Sequence, residues 1–122
     1  MPNKSLLRAR SIAFGRQSGR CLYCGVPMWS DDSTAFANQH GISPHLAKWL
    51  QCTAEHLHAR CDGGTDAAKN IAAVCWLCNH RRHARRSPLT PQQYQQLVRK
   101  RVLAGRWHPP EILTKGLCAT SA

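Results

Sequence analysis

Residues 52–64 read Cys52-Thr53-Ala54-Glu55-His56-Leu57-His58-Ala59-Arg60-Cys61-Asp62-Gly63-Gly64, and the fold turns on how this stretch is divided. The segment from Cys52 to Leu57 is short and follows a helical pattern, which predicts a strand. From Ala59 to Asn70 the composition changes to Asp62-Gly63-Gly64-Thr65-Asp66, that of a surface loop. Ile71 to Cys75 is an apolar run that predicts a return strand, and Trp76 to Arg86 predicts a helix with a dense basic face, stopped before Pro88. Adjacent strand residues project to opposite faces, so Glu55 and His56 would reach different sides of the same strand.

Working outward, the hairpin lies between two cysteine pairs of the same form, Cys21-Leu22-Tyr23-Cys24 and Cys75-Trp76-Leu77-Cys78. A thiolate pair separated by two residues grips one tetrahedral ion from a tight turn, and two pairs complete a closed structural zinc site. A thioredoxin-like redox motif is the competing reading. It accounts poorly for two copies without a strand-helix pattern of that type around either. The remaining thiols, Cys52, Cys61 and Cys118, have no such partners and receive no role. Met1 to Arg20 lacks the apolar run and cleavage site of a signal peptide, so the thiols are expected to be reduced and the protein cytoplasmic. No segment reads as a membrane span.

The ordered set Glu55-His56, Gly63-Gly64, Lys69-Asn70-Ile71 and Cys78-Asn79-His80-Arg81-Arg82-His83, set between the two cysteine pairs, resembles the HNH endonuclease family. The resemblance covers about residues 19–86 and implies an α+β, ββα-metal core with a four-cysteine zinc site and flanking helices. It implies that His56 is the general base, with His58 its nearest rival, and that Glu55 is a hard oxygen ligand for a catalytic divalent ion such as Mg2+. Asn70 would orient His56 and hold the loop. Asn79 and His83, four residues apart on one helix face, would complete the catalytic metal site. Relatives often carry histidine directly after the second cysteine pair, where this chain has Asn79 followed by His80, and a one-residue shift would recruit His80 instead. Ala59, where many relatives have proline, and Cys61 depart from the family pattern in the loop without removing a required group.

Beyond the core, Lys4 to about Gln17 predicts a basic, loosely amphipathic helix ended near Gly19, and Gly25 to Trp29 a turn with a short extended stretch. Asp31 to Gly41 reads as loop. Ser43-Pro44 predicts an N-cap and first helical position, with Leu46, Trp49 and Leu50 as the buried stripe of a helix ending near Gln51. Thr90-Pro91 caps a helix through about Ala104, and the tail beyond Trp107 reads as irregular. The 122 residues leave room for a single domain, and a core this small needs a staple.

Seventeen Lys and Arg against six Asp and Glu, a formal net charge of +11, predict a polyanionic partner, double-stranded DNA by the resemblance. Arg81, Arg82, Arg85 and Arg86 are the residues expected on phosphate. No separate sequence-reading module is present, so sequence preference would be weak or supplied by a partner protein. Two other classes stay open: a zinc-stapled nucleic-acid-binding module with an inert Glu-His pair, and an adaptor to acidic proteins. Metal-dependent cleavage separates the first from the enzyme, and competition by DNA separates the second.

Overall fold

A computed structural model describes residues 3–118. The hairpin predicted from residues 52–75 is present: β1, Cys52–His56, pairs antiparallel with β2, Ile71–Cys75, in the register Cys52 opposite Cys75 and Glu55 opposite Ala72. Every residue of β2 is buried. Two helices enclose this small sheet. The helix α1, Lys4–Arg16, packs through the small buried residues Ala9 and Ala13, which let it approach closely. At its C-terminus the Gln17 side chain donates to the Ala73 carbonyl (2.7 Å) and accepts from the Ala73 amide (3.0 Å), closing the outer edge of β2.

Between α1 and the hairpin, α2 spans Ser33–His40 and α3 spans Pro44–Ala47, the latter tightening into a 3-10 turn at Lys48–Leu50. Ser43 accepts from the Leu46 amide as its N-cap, as Ser43-Pro44 predicts. The segment read as loop, Asp31 to Gly41, is instead largely the helix α2. Asp32 caps it by accepting from the Ala35 amide (3.0 Å), and Gly41 ends it in the left-handed conformation at φ 65°.

Directly after β2 comes α4, Trp76–His83, shorter than the sequence predicts. Pro91–Leu103 forms α5, with Thr90 and Gln93 exchanging both bonds of a capping box. Its buried stripe, Tyr94, Val98 and Val102, recurs every four residues and faces the core. The tail is not irregular throughout: Pro110–Thr114 forms α6, with Ile112 buried. Trp107 and His108 are also buried. Among the described residues no helix is long and apolar enough to cross a membrane.

Candidate functional site

The four paired cysteines converge. Their sulfur atoms all lie within 4.8 Å of one another and every one of the four residues is buried. A zinc ion with Zn–S bonds of about 2.3 Å on a tetrahedron places its sulfurs roughly 3.8 Å apart, so the donor set fits; Cys24 and Cys75 are 3.7 Å apart. Three of the sulfurs face N–H groups: the Cys75 amide donates to Cys21 (3.3 Å), the Trp107 indole donates to Cys78 (3.3 Å), and His108 Nε2 lies 3.2 Å from Cys24. Burial drives the His108 pKa down to about 4, so its ring is neutral, and with its one N–H on Nε2 it would donate to that sulfur. Burial also pushes the Cys24 and Cys78 thiols well above their ordinary range. Cys21, though burial opposes it, is brought well below by hydrogen bonds from Cys24, Cys75 and Cys78. Only a cation among them would stabilise all four as thiolates, so the cluster can hold a structural metal such as zinc.

The second constellation lies where α4 crosses β1. Thr53 and Glu55 share one strand face, and Asn79, Arg82 and His83, spaced by three and four residues, share the helix face opposite. Thr53 Oγ1 donates to the Val74 carbonyl (2.7 Å), so it can only accept from Asn79 Nδ2 (3.0 Å), which also points at the Ala54 carbonyl (3.5 Å). Both bonds orient the amide, and among the described residues Asn79 Oδ1 has no hydrogen-bond partner. Glu55, 2% exposed, is held at both oxygens. Oε2 accepts from Arg82 Nη1 (2.9 Å) and from the Tyr23 hydroxyl (3.2 Å); Oε1 lies 2.9 Å from His83 Nε2. Burial, then the Glu55 charge, pushes the Tyr23 phenol far above its usual range, so it stays a donor.

His56 is the last residue of β1. Its Nε2 sits 2.8 Å from Asp66 Oδ1, and Asp66 also pairs with Arg60 and accepts from Asn3 Nδ2 (2.6 Å). The hydrogen bond to His56, followed by the Arg60 charge, holds the Asp66 carboxyl below its ordinary range. The orienting partner of His56 is therefore Asp66 rather than Asn70, whose side chain bonds elsewhere. Asn70 instead staples the loop, accepting from the His58 amide (2.8 Å) and donating to the His58 (3.1 Å) and Thr65 (2.7 Å) carbonyls. Gly64 completes the turn because a Cβ there would run into the His58 carbonyl. An acidic residue inside a loop of turn composition was the available signal for Asp66, and the loop reading masked it.

A cleft of about 380 Å3 gathers Glu55, His56, Arg60, Asn79, Arg82 and His83 along one wall set. His80 lies outside it, stacked on Trp76 at 4.5 Å. The arginines divide. Arg82, expected on phosphate, is 7% exposed, and its guanidinium is spent on Glu55 and on the Leu89 carbonyl (3.2 and 2.8 Å). Arg81 is half-buried, donates to the Trp107 carbonyl (2.7 Å) and lies 4.7 Å over the Trp107 ring. Both are structural cations, because α4 turns its 81 and 82 positions inward. Arg85 and Arg86 are exposed.

No family model, curated protein or solved structure matches this chain.

Proposed function

We propose that the chain is a metal-dependent DNA endonuclease of the HNH type, its ββα-metal unit formed by β1, β2 and α4. The observation that carries this reading is the convergence of Glu55, His56, Asn79 and His83 on one cleft beside a cysteine cluster fit for zinc.

In this reading His56 takes a proton from water, with Asp66 holding Nε2–H and so leaving Nδ1 as the basic nitrogen. The water oxygen bonds to phosphorus as the bond to the 3′-oxygen breaks. Products carry a 5′-phosphate and a 3′-hydroxyl once that oxygen gains a proton. Glu55 Oε1, Asn79 Oδ1 and His83 Nε2 are the groups that would hold a divalent ion. Because Arg82 and Tyr23 occupy Oε2, the ion would sit on Oε1 and take the place of the hydrogen bond between Oε1 and His83 Nε2. The mixed oxygen and imidazole set suits Mn2+ as well as Mg2+. Such an ion supplies Lewis-acid stabilisation of charge on the leaving and non-bridging oxygens. Arg60 beside the cleft and the exposed Arg85 and Arg86 are the cations we assign to phosphate, with a partner protein as the source of any strong sequence preference.

One observation favours a second reading, a zinc-stapled binding module without chemistry: Glu55 is fully satisfied by protein groups. Plasmid cleavage separates the two. Wild type and His56→Ala, matched for zinc content, are incubated with supercoiled DNA with and without added Mg2+ or Mn2+. Nicking by wild type only with added ion, and at least about 100-fold slower nicking by His56→Ala, is the expected result. Binding without cutting under every ion condition would replace the enzyme with the binding module.

A further inference from the structure

Trp76 opens α4 and is the exposed indole among the described residues, at 39%. It does not stand alone. His80, one turn on, stacks on it nearly parallel, 4.5 Å between centroids at 8°. Trp49, from the turn after α3, sits 6.3 Å away at 55°, so the two indoles make an open V and not a closed sandwich. His45 lies 6.5 Å beyond Trp49. Packing alone does not require an indole to stay this open at the first position of a helix whose other apolar residue, Leu77, is buried.

The clefts around these rings are linked to the catalytic one by shared lining residues. Lys48, Trp49, Gln51 and Trp76 line a space of about 310 Å3. Trp76 then borders a second, of about 480 Å3, shared with Thr53, His80, Asn79 and His83. Asn79 and His83 in turn border the cleft that holds Glu55 and His56. From Trp76 to His83 the helix rises only about 10 Å, so one extended strand could lie on the rings and enter the cleft. Among the described residues neither aromatic cleft is lined by a carboxylate, and Lys48 lies on one of them.

We propose that Trp49, Trp76 and His80 form a stacking track for unpaired nucleobases, so that the preferred DNA has a single-stranded segment next to the phosphate held in the Glu55–His56 cleft. The position of that phosphate rests on the nuclease reading; the stacking does not. Aromatic faces accept any exposed base without reading its hydrogen-bonding edge, whereas bases inside a duplex present no free face. The +11 net charge and the missing carboxylates favour a polyanion over a protein surface on these rings. The parallel imidazole holds the Trp76 ring in place before binding, which lowers the ordering cost of stacking.

The test is binding alone, without added divalent ion, so that nothing depends on cleavage. Anisotropy of labelled oligothymidylate is compared with an abasic strand of equal length and with a duplex, for wild type, Trp76→Ala and Trp76→Phe. Zinc content and circular dichroism confirm each fold. We expect wild type to bind the thymidylate strand about tenfold more tightly than the abasic one, Trp76→Ala to lose that advantage, and Trp76→Phe to keep most of it. Equal affinity of wild type for thymidylate and abasic strands overturns the track and leaves the rings to a protein partner; should Trp76→Ala fail to fold, this wild-type comparison still decides. A base-dependent strand binder that cuts no plasmid retains the track and loses the nuclease. A plasmid-cutting protein indifferent to bases does the reverse.

Discussion

Glu55 and Arg82 show how one residue's surroundings reassign another's role. A carboxylate taken out of water needs compensation, and the Arg82 guanidinium at 2.9 Å provides it from a position that is itself buried. Arg82 belongs to a run of basic residues, and a basic run in a strongly cationic chain reads as a phosphate surface. Helical phase decides otherwise. The 79 and 83 positions are legible as one face, and 82, three residues after 79, borders that face on the side of 79 away from 83. Arg82→Ala strands a buried charge, so urea unfolding in the presence of zinc should show a loss of about 3–5 kcal/mol. The double change Glu55→Leu with Arg82→Leu should recover most of that loss. A phosphate-contacting arginine would instead leave stability within about 0.5 kcal/mol and weaken DNA binding.

Among the elements, the one whose role is least visible in sequence is the tail after α5. Trp107 and His108 return over the cysteine cluster, the indole donating to Cys78 and His108 Nε2 lying 3.2 Å from Cys24. Tyr94 of α5 supports them, donating to the Cys78 carbonyl (2.7 Å) and packing edge-on to Trp107. Partners that orient metal ligands matter nearly as much as the ligands. His108→Ala should therefore lower zinc affinity about 10- to 100-fold, read by competition with a chromophoric chelator. Unchanged affinity would make this segment a cover without influence on the metal. The tail and α2 differ from the sequence expectation for a common reason: each is short and has few apolar positions, and its burial comes from long-range packing that periodicity does not report.

For the molecule as a whole, the cysteine cluster joins segments 51 positions apart, Cys24 before the hairpin and Cys75 at its end, with α5 and the tail packed around it. Structural zinc binds with an apparent free energy of about 10–16 kcal/mol, as large as the roughly 5–15 kcal/mol that stabilises a typical domain. Stripping the metal should therefore unfold the chain rather than loosen one corner. Circular dichroism is expected to lose its helical signal cooperatively on chelation and to regain it on adding zinc. A helical spectrum that survives complete zinc removal would mean that the core holds without the staple.

Sequence alone determined what depends on local chemistry: the hairpin and its following helix, the caps Ser43 and Thr90, the four cysteines as one set, and the face shared by Asn79 and His83. Those features follow from periodicity, turn composition and ligand spacing, which neighbouring residues carry. Tertiary structure decided everything that depends on which distant group arrives. It placed Asp66 instead of Asn70 on His56, buried Arg82 against Glu55, laid Trp107 and His108 over the cysteines, and set Trp76, Asn79 and His83 each on the border of two clefts. Charge and hydrogen-bonding capacity are written in the chain, but their partners are fixed only when segments far apart in sequence compete for the same buried space.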